Sequence, residues 1–328
     1  MFHDLSTRKL TRQLIGFNDE IVDAVFLSPN APNTVDSHIA FATNSSLIRI
    51  YSTAGLDARL LSGHNDIVLS LDRGAGGKLF ASGSKDRSAR LWAPASGDDD
   101  KPTEWGCVAI CEGHAESIGA VAMSRTSGEG GIVQFMFTGS QDRTIKMWYM
   151  GDVPLVFDAS QHSQSAMKCK SLTTHKAHEK DINSLDVAPN DLFLASGSQD
   201  RTAKVYEIDF SRAAGDRPAG GEIKLLGTCK GHKRGVWTVK FGRTERVLAT
   251  GSGDKTVKLW NLEDFTCVKT FEGHTNSVLR VDFLNLGMQL VTSASDGLVK
   301  LWSVREEECV ATMDNHEDKV GCSFSHCG

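Results

Sequence analysis

Residues 231–241 read Gly231-His232-Lys233-Arg234-Gly235-Val236-Trp237-Thr238-Val239-Lys240-Phe241, and residues 247–260 read Val247-Leu248-Ala249-Thr250-Gly251-Ser252-Gly253-Asp254-Lys255-Thr256-Val257-Lys258-Leu259-Trp260. Together they hold three short runs rich in β-branched and aromatic residues, separated by Gly and charged turn residues, and each run predicts a strand. The polar triplet Gly253-Asp254-Lys255 marks a tight reversal between the second and third runs. A fourth run, Cys267-Val268-Lys269-Thr270-Phe271, leads into the next Gly273-His274.

The same skeleton recurs outward from this stretch. Gly63-His64 leads to Asp86 and Leu91-Trp92, Gly113-His114 to Asp142 and Met147-Trp148, and Ala177-His178 to Asp200 and Val205-Tyr206. Gly273-His274 leads to Asp296 and Leu301-Trp302. The His-to-Asp spacing is 22 residues in four of these units and 28 in the unit from His114, where the loop around Gly128-Glu129-Gly130-Gly131 is longer. A repeat of this length is one supersecondary unit used many times, so it has to be read before any motif is taken for a site. No segment keeps a helical period, and regularly spaced short strands predict an all-β chain.

Linked positions recurring in register resemble the WD-repeat family, whose units form the four-stranded blades of a β-propeller. The resemblance runs from about Phe17 to Val320. It implies a single domain over residues 1–328, with blades at 17–62, 63–112, 113–176, 177–230, 231–272 and 273–314. Residues 1–16 and 315–328 would supply an incomplete seventh blade. In that reading Phe2-His3-Asp4-Leu5 closes a third strand, Lys9 to Leu14 is a fourth, and both pair with a strand starting at Lys319-Val320. An open ring leaves strand edges unpaired, so the chain is expected to be a piece of something longer. The first unit starts at Phe17-Asn18-Asp19-Glu20 without Gly-His, and it carries Ser45 in the Asp place and Tyr51 in the Trp place.

The resemblance also implies roles for the recurrent polar residues. His64 would bond Asp86 and Ser82, and Ser82 would reach the indole N–H of Trp92. The same roles fall on His114, Thr138, Asp142 and Trp148, on His232, Thr250, Asp254 and Trp260, and on His274, Thr292, Asp296 and Trp302. The unit from His178 keeps Ser196 and Asp200 but has Tyr206 for Trp. The competing reading is a hydrolase triad. A nucleophile needs its base and oxyanion donors converging in one pocket, and a set copied into successive units does not fit that need. No catalytic, cofactor-binding or metal-binding residue is assigned: Gly76-Gly77-Lys78 lacks the following Ser/Thr and the upstream Gly spacing of a phosphate loop.

Composition narrows the classes further. The net charge of −5 gives no global attraction to polyanions or membrane surfaces. No apolar run of 18 residues occurs, and Met1 to Leu10 lacks a secretory pattern. The eight cysteines include no C-x-x-C, and Cys107, Cys267 and Cys309, each seven residues before a repeat His, read as small apolar strand residues in a reducing compartment. Asn44-Ser45-Ser46 reads as a chance sequon. Three stretches break the even spacing and read as surface connections or partner contacts: Pro94 to Trp105, Tyr149 to Lys176, and Glu207 to Gly221. Arg90, Lys146, Lys204, Lys258 and Lys300 recur on the third strands, either solvated, in grooves between blades, or forming a basic ring against RNA phosphates.

A finer resemblance rests on five stretches. They are Gly63-His64-Asn65-Asp66-Ile67-Val68-Leu69-Ser70-Leu71-Asp72; His178-Glu179-Lys180-Asp181-Ile182-Asn183-Ser184 with Ala188-Pro189-Asn190-Asp191; Gly197-Ser198-Gln199-Asp200-Arg201-Thr202-Ala203-Lys204; Ser295-Asp296-Gly297-Leu298-Val299-Lys300-Leu301-Trp302; and His316-Glu317-Asp318-Lys319-Val320. They are similar to the second propeller of the transducin beta-like family of the small-subunit processome, in the UTP-B subcomplex. That resemblance implies a non-enzymatic nucleolar scaffold in pre-rRNA processing, with other processome proteins as partners and U3 snoRNA or pre-rRNA contacted directly or through them. No cofactor, membrane or small-molecule substrate is implied. In that family another propeller precedes the region and a helical domain follows it. The alternative is a WD-repeat substrate receptor of a cullin-type ubiquitin ligase, or another adaptor. Such receptors end a repeat in Trp-Asp-x-Arg, and Trp302-Ser303-Val304-Arg305 approaches this with Ser in the Asp place.

Overall fold

In the computed structural model the described residues are 2–3, 7, 10–12, 20–28, 37–53, 58–95, 104–126, 128, 132–158, 166–213, 218–244, 246–314, 316 and 318–321. Strands β1 (Phe2–His3) and β2 (Leu10–Arg12) form an antiparallel hairpin. Six sheets follow, each built on a four-stranded antiparallel meander. Blade 1 holds β3 (Ile21–Leu27), β4 (His38–Thr43), β5 (Ile48–Ser52) and β6 (Ala58–Leu61); blade 2 holds β7 (Val68–Arg73), β8 (Phe80–Ser84), β9 (Ser88–Pro94) and β10 (Trp105–Glu112). Blade 3 holds β11 (Ile118–Met123), β12 (Phe135–Ser140), β13 (Thr144–Tyr149) and β15 (Ser171–Lys176), with β14 (Met167–Lys168) in the connection before β15. Blade 4 holds β16 (Ile182–Val187), β17 (Phe193–Ser198), β18 (Thr202–Ser211) and β19 (Gly220–Lys230). Blade 5 holds β20 (Val236–Phe241), β21 (Val247–Ser252), β22 (Val257–Asn261) and β23 (Cys267–Phe271); blade 6 holds β24 (Val278–Leu284), β25 (Gln289–Ala294), β26 (Val299–Ser303) and β27 (Cys309–Met313). The all-β propeller of six four-stranded blades expected from the repeat is the fold observed.

The apolar core lies in layers between successive blades. Leu27, Ile48, Val68, Phe80 and Trp92 join blade 1 to blade 2, and Ala249, Val257, Val278, Leu290 and Trp302 join blade 5 to blade 6. A sheet covered on both faces has buried second strands, which explains why β8 and β12 are buried at every position and read as unbroken small or apolar runs. In blades 2 to 5 one glycine in the second strand sets the spacing of the layers. A Cβ on Gly83 would stand 2.8 Å from Ile118 Cγ2, one on Gly139 2.7 Å from Ile182 Cγ2, one on Gly197 2.8 Å from Val236 Cγ1, and one on Gly251 2.7 Å from Val278 Cγ1. The next blade therefore rests directly on the backbone.

The inner strands β3, β7, β11, β16, β20 and β24 pack on one another in turn, from blade 1 to blade 6. At the seam between blades 6 and 1 the joining groups differ. Arg280 Nη2 lies 3.5 Å from Asp23 Oδ1, and residues 318–321 enter the gap. There Val320 N–H donates to Ala294 O at 3.1 Å, and Lys319 Nζ pairs with Glu20 Oε1 at 2.9 Å. Among the described residues β1 and β2 have no bridge to Lys319 or Val320, and residues 322–328 lie outside those described.

Described parts of the stretches that broke the even spacing contain strand. Much of Glu207 to Gly221 is strand, because β18 and β19 run on as a long hairpin. The connection of blade 3 crosses to blade 2: β14 pairs parallel with β10 as a fifth strand, and Phe157 N–H donates to Pro94 O at 2.8 Å. An outer strand presents unpaired N–H and C=O groups, and this crossing covers one such edge. Between Pro94 and Trp105, Ala95 bridges to Phe157.

Candidate interaction faces of the ring

Each blade enters its first strand at the same end of the ring where its second and third strands turn, so the His of one loop meets the Asp of the other. His64 Nδ1 is 2.8 Å from Asp86 Oδ2, His64 Nε2 is 2.7 Å from Ser82 Oγ, and Trp92 Nε1 donates to Ser82 Oγ at 2.8 Å. In blade 3 the corresponding distances among His114, Asp142, Thr138 and Trp148 are 2.9, 2.7 and 2.8 Å. The same values hold among His232, Asp254, Thr250 and Trp260, and among His274, Asp296, Thr292 and Trp302: 2.9, 2.7 and 2.8 Å. In blade 4, His178 lies 2.8 Å from Asp200 and 2.6 Å from Ser196, while Tyr206 Oη donates to Ala177 O at 3.4 Å.

Donor arithmetic fixes the protons. The indole N–H can only donate, so the hydroxyl accepts from it and gives its own hydrogen to Nε2. That leaves Nδ1–H to donate to the carboxylate, and every polar group of the quartet is satisfied with a neutral imidazole. Burial holds His114 and His274 below their ordinary pKa against the pull of Asp142 and Asp296. Burial pushes Asp86, Asp200 and Asp254 up, but hydrogen bonds from the His, from Ser88, Thr202 or Thr256, and from a backbone N–H outweigh it and hold all three below the carboxylate range.

The sequence reading omitted two further members of these clusters. The hydroxyl two residues after the Asp donates to its Oδ1, at 2.6 Å from Ser88, Thr144 and Thr202 and at 2.7 Å from Thr256. The second Ser of the Ser-Gly-Ser triplet, Ser84, donates to Ile67 O at 2.9 Å and accepts from Asp86 N–H at 3.1 Å, tying the two loops together. Blade 1 has an aromatic pair instead: Phe41 stands in the Ser82 place in the strand register, and its ring meets that of Tyr51 edge-on at 5.8 Å.

A second polar system lines the axis. The inner strands of all six blades surround a central cavity of about 450 Å³. Their inward edges have no neighbouring strand, so side chains of the preceding blade satisfy some of the free N–H groups. Asp23 Oδ2 accepts from Leu71 N–H, Asp72 Oδ2 from Met123 N–H and Asp186 Oδ2 from Phe241 N–H, each at 2.8 Å. Arg125 joins Asp72 and Asp186 at 2.9 Å each, and Lys240 reaches Asp186 at 3.0 Å. Burial pushes Asp23 up against the pull of Arg280, whereas Lys240 and Arg125 hold Asp186 down despite its burial. Asp72 and Asp186 share one register position, whereas Asp23 sits where blades 2 and 4 carry Ser70 and Ser184, so the set follows no single spacing.

Other expectations need correction. The third-strand cations bond within their own blades: Lys146 to Thr174 Oγ1 at 2.8 Å, Lys258 to Thr270 Oγ1 at 2.9 Å, Lys300 to Thr312 Oγ1 at 3.0 Å, Lys204 to Ala177 O at 2.6 Å, and Arg90 to Cys107 Sγ at 3.8 Å. Four of them are struts between third and fourth strands, Lys204 ties its third strand to the loop that enters its blade, and none of these bonds forms a ring at the axis. Cys267 and Cys309 are exposed and Cys107 is half-buried, not apolar filling. All three sit where the fourth strand slips register, and each thiol donates to the carbonyl two residues on, at 3.5 Å for Cys107, 3.4 Å for Cys267 and 3.3 Å for Cys309. Among the described residues no group of three or more His, Cys, Asp or Glu is placed to hold a metal ion, and no helix is long and apolar enough to cross a membrane.

Comparison with known proteins follows the same geometry. The WD domain, G-beta repeat matches residues 55–93, 105–149, 169–207, 223–261 and 265–303. Each match starts on or just before the outer strand of one blade and ends on the third strand of the next, so one repeat staples two neighbouring sheets. Transducin beta-like protein 3 of Mus musculus is 42% identical over 241 residues, covering 74% of this chain and 27% of that protein. U3 small nucleolar RNA-associated protein 13 of Saccharomyces cerevisiae is 34% identical over 246 residues, covering 72% of this chain and 27% of that protein. Nuclear distribution protein PAC1 of Arthroderma otae is 33% identical over 253 residues, covering 71% and 49%. The chain thus spans about a quarter of the first two relatives, at 27%. With its repeats matched blade after blade and their polar quartets in place, the chain belongs to the WD domain, G-beta repeat family.

Proposed function

We propose that this propeller is a non-enzymatic scaffold in small-ribosomal-subunit biogenesis, binding other proteins of the particle that processes pre-rRNA with U3 snoRNA, in the nucleolus. The observation that carries this reading is the 42% identity to transducin beta-like protein 3, supported by the 34% identity to a yeast protein named for U3 small nucleolar RNA. The chemistry agrees with a scaffold. Each His–Asp–hydroxyl set is consumed in closing its own blade, its hydroxyl already engaged by an indole or aimed at the ring nitrogen. No nucleophile of these sets faces an open pocket with oxyanion donors.

Affinity purification of the tagged full chain, with mass spectrometry and a probe for U3 snoRNA, tests this. Processome proteins and U3 in the eluate are the expected result. A cullin adaptor in their place would assign the chain to ubiquitin-ligase receptors, and neither would leave a propeller adaptor of another assembly.

A further inference from the structure

Trp237 differs from the other tryptophans. Trp92, Trp148, Trp260 and Trp302 are at most 2% exposed and Trp105 is 7%, whereas Trp237 is 37% exposed. It projects from β20 at the rim of the central cavity, on the end of the ring that carries the His and Asp loops. A Cβ on Gly253 would stand 3.2 Å from its Nε1, 3.5 Å from Arg234 Cβ and 3.6 Å from Ser277 Oγ, so the indole lies over the turn of its own blade, beside Arg234 and the next blade. Its N–H has no hydrogen-bond partner among the described residues.

Four cations gather beside it. The loop before β20 carries exposed Lys233 and Arg234, and the turn beside it carries exposed Lys255 at φ 74. A Cβ on Gly235 would stand 3.2 Å from Gln199 Cα, which brings the turn of exposed Arg201, at φ 73, alongside. Among the described residues none of these four cations has a carboxylate within ion-pair distance. Asp254, the acidic residue of the turn, is engaged by His232, Lys233 N–H and Thr256. The equivalent loops of blades 2, 3 and 4 carry Asp66, Glu116, and Glu179 with Asp181, so blade 5 stands out among these neighbours as wholly basic.

We propose that Trp237 with Arg201, Lys233, Arg234 and Lys255 is a contact for single-stranded RNA, a base stacking on the indole and neighbouring phosphates pairing with the cations. This deepens the ribosome-biogenesis reading and rests on it for the nature of the partner. Base stacking needs a flat π-face and nearby positive charge, with no side-chain pocket. A protein anchor of this size needs an apolar pocket and a surrounding ring of contacts. The other large exposed apolar residues, among them Leu60, Val156, Leu192, Leu225, Val268 and Leu286, lie on outer strands or at the opposite end of the ring, so Trp237 is isolated on its face.

The test is fluorescence anisotropy of the full chain with a short labelled oligouridylate, across a salt series. Wild type should bind, Trp237→Ala should weaken binding roughly tenfold or more, and Trp237→Phe should keep most of it. Lys233→Glu with Arg234→Glu should weaken binding and lower the slope of log affinity against log salt by about two. Lys146→Glu, a strut elsewhere, should leave affinity unchanged. Three outcomes overturn the proposal: no binding by wild type, full affinity in Trp237→Ala, or an Asp/Glu-rich peptide binding at the same residues more tightly than RNA. Circular dichroism of each variant separates unfolding from loss of contact. The purification described above can still recover processome proteins when this test fails, so the two readings fail separately.

Discussion

Arg125 Nη2 stands 2.9 Å from Asp186 Oδ1, so a guanidinium at the end of the third blade's inner strand grips the blade after it. Its other arm holds Asp72 of the blade before it at the same distance, 2.9 Å. Three blades are thereby joined by one side chain. Removing one partner of such a buried set strands the others: Arg125→Met is expected to cost about 3 kcal/mol of stability, with Lys240 still bonded to Asp186. Urea unfolding measures this, and a midpoint equal to wild type would mean the network carries no strain between blades.

The quartets make a separate prediction. Asp254→Ala leaves Nδ1–H of buried His232 without its acceptor and releases Lys233 N–H and Thr256. The expected loss is about 1–3 kcal/mol, the cost of an unmade buried hydrogen bond. The thermal midpoint reports it, and an unshifted value would count against a structural role.

Acid should act on the same quartets in two windows. The imidazoles of His114 and His274 are held by burial below their ordinary pKa, so the unfolded chain binds protons first and stability falls as pH drops below about 6.5. The carboxylates of Asp86, Asp142, Asp200, Asp254 and Asp296 are held below their ordinary value, so their contribution is complete above about pH 4 and is lost as pH falls further. Denaturation midpoints followed from pH 7.5 to 3.5 should fall in both intervals, roughly around 6 and below 4. A flat profile down to about pH 4 would exclude the histidine contribution.

Blade spacing offers a packing test. Gly197→Val would drive methyl groups into Val236 and Val239, whose Cγ1 atoms already stand 2.8 and 2.9 Å from the position of a Cβ. Overpacking of this kind costs about 1–3 kcal/mol. A variant as stable as wild type would show that neighbouring sheets slide apart freely.

The fold was legible because its signal repeats. His232 and Asp254 are one pair, but the same spacing in neighbouring units identifies a blade, and the alternation of Val257, Leu259 and Trp260 with polar neighbours assigns the strand. The same periodicity hid other features. Asp72 and Asp186 hold the same position in their blades and Asp23 a different one, while blades 3 and 5 carry Ala122 and Lys240 at the Asp72 position, so the spacing alone does not mark the role. Trp237 looks in sequence like any apolar strand residue. Its exposure follows from the free inner edge of β20 at the mouth of the cavity, which local pattern does not encode.

The amino-acid order alone determined a repeated four-stranded unit and the residue types that close it, because turn chemistry, alternation and the His-to-Asp spacing are local properties of each unit. Only the tertiary structure decided how units meet: which blade Arg125 ties to which, that the insertion holding Phe157 and β14 caps the edge of blade 2, and which surfaces remain open. Those contacts join residues about 50 or more positions apart, where the geometry of ring closure, and no spacing rule, selects the partner.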